Sequence, residues 1–122
     1  MTATRVLVVD DEPFICTTVS MLLRLAGYSV ASAADGRAGL QLAQDNPPDI
    51  ILSDLNMPHM DGYAPLAAVR GSSVLRHTRF VLLTRAADVA PVSDTGGLAP
   101  DACLAKPFTR EQLLKVLRQV QA

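Results

Sequence analysis

Short apolar runs rich in β-branched residues alternate along this chain with amphipathic stretches of helical period, and that alternation constrains the fold more than any other feature. Val6-Leu7-Val8-Val9 reads as a strand buried on both faces and ends in Asp10-Asp11-Glu12. A helix follows at once, with Glu12 at the N-cap, Pro13 in the first turn, and Ile15, Val19, Leu22, Leu23 and Ala26 forming an apolar stripe that Gly27 ends. Tyr28 to Ala33 is a second strand. Asp35-Gly36 opens a second helix through Leu40 and Ala43, which Asn46-Pro47-Pro48 terminates.

Ile50-Ile51-Leu52 leads into Asp54, and a loop through Met57-Pro58 and Asp61-Gly62 reaches a third helix near Ala64 to Arg70, with Pro65 in its first turn. Phe80 to Leu83 is the fourth strand. Between Asp88 and Pro100 the prolines and Gly96-Gly97 oppose a regular helix, so that crossover is expected to be short or irregular. Ala102 to Ala105 gives the fifth strand. Thr109 with Gln112 then forms a capping box, and Leu113, Leu117 and Val120 supply the buried face of a closing helix. Single helices between strands favour parallel pairing, which predicts an α/β fold: a doubly wound, five-stranded parallel sheet with helices on both faces.

The chain has 122 residues, the size of one ordinary domain, and a single unit over residues 1–122 is expected. A formal net charge of −1 argues against broad nucleic-acid binding. No apolar run approaches the roughly 18 residues needed to cross a bilayer, and the start at Met1 lacks a signal-peptide pattern, so a cytoplasmic protein is expected; the Met1 start favours a stand-alone protein, with a fragment of a larger one left open. Cys16 and Cys103 have neither disulfide nor metal-ligand spacing and read as buried, reduced core thiols. His59 and His77 lie in polar connections and read as surface residues.

In doubly wound sheets, ligands bind beyond the carboxyl ends of the strands. Asp10 and Asp11 end the first strand, Asp54 the third and Thr84 the fourth, while Lys106 follows the fifth. Residues distant in sequence should therefore meet at one rim. Three carboxylates so close repel one another, since like charges about 4 Å apart cost roughly 4 kcal/mol at an effective dielectric of 20. An oxygen-rich donor set without Cys or His favours a hard cation such as Mg²⁺. Lys106 and the Thr84 hydroxyl suit phosphoryl oxygens, so the constellation points to phosphoryl transfer.

The acidic pair Asp10-Asp11, the run Asp54-Leu55-Asn56-Met57-Pro58 with Asp61-Gly62, Thr84, and Lys106-Pro107-Phe108 resemble, in order and spacing, the receiver domain of response regulators in two-component signalling. The resemblance extends from Arg5 to Val120. It implies a flavodoxin-like fold in which Asp54 accepts a phosphoryl group from a sensor histidine kinase or histidine phosphotransfer protein. It further implies Mg²⁺ on Asp11, Asp54 and the backbone carbonyl of Asn56, with Asp10 helping through water, Lys106 and Thr84 on the phosphoryl oxygens, and a cis bond at Lys106-Pro107. Phe108 would be a packing residue. Such a domain is a signalling phosphoacceptor rather than an enzyme with a separate substrate, and acts as a monomer or weak dimer. Partner choice in similar domains lies on the first helix, here around Thr17, Thr18, Met21 and Arg24.

Two departures concern the output. The resemblance implies an aromatic on the fifth strand that follows the threonine inward, and Cys103 stands there instead; Arg85 replaces a small residue after Thr84. The expectation is that phosphorylation orders the segment from Arg85 to Pro100. A phosphorylation-independent binding module is the alternative reading. An aspartyl-nucleophile phosphohydrolase is disfavoured, because Asp10 and Asp11 are adjacent rather than in an Asp-x-Asp arrangement.

Overall fold

A computed structural model describes residues 3–54, 63–85 and 100–121. The expected alternation is present: β1 (Arg5–Val9), α1 (Pro13–Leu25), β2 (Ser29–Ala33), α2 (Gly36–Asp45), β3 (Ile50–Asp54), α3 (Tyr63–Gly71), β4 (Arg79–Arg85), β5 (Ala102–Lys106) and α4 (Arg110–Gln121). All strand pairs are parallel, in the order β2-β1-β3-β4-β5. The crossover expected between Asp88 and Pro100 falls outside the described residues except for Pro100.

The helices divide by the direction in which the chain moves across the sheet. From β1 the chain steps to β2 on one side, then returns past β1 to β3 and continues outward to β5. Crossovers of one hand in opposite directions must lie on opposite faces. Val19 and Leu23 of α1 and Leu113, Leu117 and Val120 of α4 accordingly pack on Val6, Val8, Ile50, Leu52, Val81 and Leu83. Ala43 of α2 and Leu66 and Val69 of α3 pack on Leu7, Val9, Ile51, Phe80 and Leu82. Adjacent residues of each central strand thus serve opposite cores, which is why these runs are continuously apolar.

Local chemistry sets the helix ends. Pro13 occupies the first turn of α1 after Glu12, whose side chain makes no capping bond. At the other end Gly27 adopts φ +98°, and the amides of Tyr28 and Gly27 donate to the carbonyls of Leu23 (3.0 Å) and Arg24 (3.1 Å). This is the double bond of a Schellman stop, and the left-handed residue it requires favours glycine. Ala26 is the C-cap and is exposed, so it does not belong to the apolar stripe expected for it. Asp35 caps α2 by accepting from the Ala38 amide at 2.8 Å. The capping box of α4 is formed both ways, with Gln112 N donating to Thr109 Oγ1 (3.1 Å) and Thr109 N to Gln112 Oε1 (2.9 Å).

A clamp invisible in the sequence fixes the entry to β5. Asp101 accepts from the Phe80 amide at 2.8 Å and from Arg70 Nη2 at 2.7 Å, while Arg70 Nη1 also donates to the Thr78 carbonyl at 2.9 Å. One half-exposed ion pair is worth little alone, but here it joins α3, the turn after it and two strands through charge-assisted bonds.

Gly39 of α2 is buried against the sheet, and a Cβ there would lie 2.7 Å from Val9 Cγ2. Gly39→Ala is therefore expected to lower unfolding free energy by about 1–3 kcal/mol despite alanine's better helix propensity, because the overlap falls in a packed core. Urea denaturation checks this, and a variant as stable as the parent would show that Val9 can move aside at no cost.

Candidate phosphoryl-transfer site

The strand order reverses between β1 and β3, and the polar residues gather beyond their carboxyl ends. β1 delivers Asp10, which is 1% exposed, and Asp11, which is exposed; β3 ends on Asp54, 3% exposed. Each of the three offers a carboxylate oxygen, and these oxygens all lie within 4.8 Å of one another. Thr84 is the penultimate residue of β4, one register step beyond Leu83, the partner of Asp54, and is 1% exposed. Lys106 ends β5, and its Nζ lies 2.8 Å from Asp10 Oδ2 and 3.4 Å from Asp54 Oδ1. The Lys106–Pro107 peptide is cis. Asn56, the remaining residue expected at the metal, lies outside the described residues, as does His59.

Charge governs the geometry. Two buried carboxylates without a counter-charge would repel by several kcal/mol, and the ammonium between them offsets that. Burial by itself would pull the Lys106 pKa down, but its hydrogen bonds to Asp10 and Asp54 and their negative charges hold it above the ordinary lysine value. Lys106 therefore remains a cation through the neutral range. Because its folded pKa is raised, the stability it contributes is fully present below the unfolded value of 10.5 and is lost as pH rises through the folded pKa. Asp10 is held from a second side, since the Glu12 amide donates to its Oδ1 at 2.9 Å.

The donor set fits a hard divalent cation. Among the described residues it consists of carboxylate oxygens, without Cys or His, a chemistry that favours Mg²⁺ over zinc. Lys106 and such a cation would both draw on the Asp10 carboxylate.

Several side chains differ from their sequence reading or escaped it. Cys103 is exposed and Cys16 half-buried, so neither is the fully buried core thiol expected. β5 is an edge strand, and the burial of one of its faces depends on what covers it, which an apolar run cannot reveal. Cys16 Sγ donates to the Asp10 carbonyl at 3.2 Å, and burial, followed by the charge of Asp10, pushes its thiol pKa up. His77 is exposed, as expected. Ser53 was not singled out, yet it is fully buried, and among the described residues it holds the buried side-chain oxygen that lacks a hydrogen-bond partner. Such a hydroxyl costs about 1–3 kcal/mol.

A groove of about 510 Å³ runs beside the site between α1 and the turn after β5, lined by Phe14, Ile15, Thr18, Leu22, Lys106 and Phe108. Phe14 (78% exposed) and Met21 (54%) leave the outer face of α1 apolar. Phe108 packs partly buried against the α1/α4 core, in the packing role expected of it. No described helix is long and apolar enough to cross a membrane.

Comparison with known proteins gives the same picture. The chain is 35% identical to a probable chemotaxis protein CheY of Rhizobium etli, over 95% of this chain and 91% of that one. Among solved structures, the chemotaxis protein CheY4 of Vibrio cholerae superposes with a TM-score of 0.89 at 40% identity, covering 98% of this chain and 99% of that one. The receiver domain of a Pseudomonas aeruginosa sensor histidine kinase, solved with a magnesium ion coordinated in its active-site cleft, superposes with a TM-score of 0.85 at 29% identity, covering 99% and 100%. Other relatives are named as transcriptional regulators, and the chain spans about half the length of those proteins. The response regulator receiver domain model matches residues 6–118, and with the sheet order and the acidic rim already described, the chain belongs to the receiver domain family of two-component signalling.

Proposed function

We propose that residues 1–122 form a single receiver domain in which Asp54 takes a phosphoryl group from a phosphohistidine on a sensor kinase or phosphotransfer protein. The observation that carries this reading is the placement of the Lys106 ammonium 3.4 Å from Asp54 Oδ1, in a cluster where Asp10 and Asp11 lie within 4.8 Å of the same carboxylate. A carboxylate oxygen of Asp54 attacks phosphorus as the P–N bond to the donor imidazole breaks, and the imidazole leaves with that electron pair. Lys106 then shifts its contact from carboxylate to phosphoryl oxygen, and the Thr84 hydroxyl donates to another. Asp10, Asp11 and Asp54, with the main-chain carbonyl of Asn56, would hold Mg²⁺, which supplies charge neutralisation at the phosphoryl oxygens.

The apolar groove beside Lys106 gives the donor a place to dock. An imidazole must approach the rim in line with Asp54, and the exposed Phe14 and Met21 with Thr17 and Arg24 offer a surface adjoining that path. Placed in the cytoplasm with such a donor, the domain acts by changing its own partner binding rather than by turning over a substrate. Binding without phosphorylation remains the competing reading, and the chemistry separates the two.

Incubation with a small phosphodonor and Mg²⁺ is expected to raise the intact mass by one phosphoryl group, and Asp54→Asn is expected to abolish the gain. A mass unchanged in the parent protein, together with no binding of beryllofluoride, would favour the binding-only module. Lys106→Met is expected to tighten divalent-cation binding on the order of ten-fold by calorimetric titration, since it removes both a positive charge and a competitor for Asp10. Unchanged or weaker cation binding would contradict the shared use of Asp10.

A further inference from the structure

Ser53 immediately precedes Asp54 on β3, and side chains alternate across a strand, so its hydroxyl faces away from the Asp54 carboxylate. The register sets it between Val9 of β1 and Leu82 of β4, in the apolar layer beneath α2 and α3. It is 0% exposed, and its oxygen has no hydrogen-bond partner among the described residues. Alanine would fill nearly the same space without burying an unpaired polar atom, so the hydroxyl lowers the stability of this state. Thr84, two residues beyond Leu82, shares that face and is also buried, which makes Ser53 and Thr84 diagonal neighbours on adjacent strands. A threonine oxygen can accept one hydrogen bond while donating another.

We propose, resting on the reading of Asp54 as phosphoacceptor, that Ser53 is a positioning residue whose hydroxyl donates to Thr84 Oγ1 when Thr84 donates to a phosphoryl oxygen on Asp54. The Ser53 hydroxyl gains its partner only in the phosphorylated state and so favours that state over the resting one. Each bond of the pair polarises the other, strengthening the contact of Thr84 with the phosphoryl group. Cys103 lies opposite Leu82 on the next strand and is exposed, so no bulky ring from β5 fixes Thr84 in a shifted position here. The buried hydroxyl one strand away on the other side takes that part.

The test compares the 122-residue protein with Ser53→Ala by thermal denaturation, with and without Mg²⁺ and beryllofluoride, and by titration of beryllofluoride. In the resting state Ser53→Ala is expected to raise Tm by about 4 °C. Its apparent affinity for beryllofluoride is expected to fall several-fold, and the rise in Tm on loading to be smaller than in the parent. A purely structural hydroxyl would leave that affinity unchanged, which overturns the proposal. A resting Tm lowered by the substitution, or failure of the variant to fold, would mean that the hydroxyl is already paired, and overturns it equally. If the parent protein does not respond to beryllofluoride at all, the Asp54 reading fails and this one with it, whereas a normal parent response with an unaltered variant defeats the Ser53 role alone.

Discussion

The ammonium of Lys106 between two buried carboxylates is the interaction on which the rest of the site depends. Asp10 and Asp54 are each nearly inaccessible to water, and without a counter-charge their proximity would drive one to protonate or the rim to open. Lys106 meets both, at 2.8 Å and 3.4 Å. The carboxylate oxygens are thereby held converged around one cleft. The phosphoryl group and metal proposed for this site would bring both signs of charge to a place where both already exist, so the electrostatic reorganisation on loading would be small.

That arrangement is possible because four of the five strands end at one rim with candidate site residues. The reversal of strand order between β1 and β3 opens a crevice in which no crossover helix stands directly above the carboxyl ends. Asp10, Asp54, Thr84 and Lys106 come from four strands locked in parallel register, so no site residue can shift along its strand without slipping a ladder of hydrogen bonds. At the far end of the sheet, Asp101 and Arg70 tie α3 to β4 and to the start of β5. β4 and β5 run from that clamp at the base of the sheet to the rim.

Much of this was legible in the chain. Continuous apolar runs announced parallel strands, Gly27 and the pair Thr109 and Gln112 announced helix ends, and polar residues at strand ends announced a rim site. These signals are local or nearly so, since each depends on a residue and a neighbour within one turn or one strand. The errors were of another kind. Cys103 sits in an apolar run yet is exposed, because its strand is at an edge. Ala26 fits the helical stripe yet is exposed, because the helix has already ended there. Ser53 attracted no notice because a serine within a strand becomes unusual only when it is known to be both enclosed and unpaired.

By itself the sequence determined the fold class, the helix stops and the set of side chains at the rim, since hydrophobic period, capping and the alternation of strand and helix act over short stretches of chain. Tertiary structure alone decided that Lys106 lies closer to Asp10 than to Asp54, that Asp101 reaches back to Arg70, that β5 leaves Cys103 uncovered and that the Ser53 hydroxyl lacks a partner. Each of these is a contact, or the lack of one, between residues on different elements. Burial and pairing of that kind follow from which strands become neighbours and which faces the crossovers cover, and the sheet fixes both only once it is assembled.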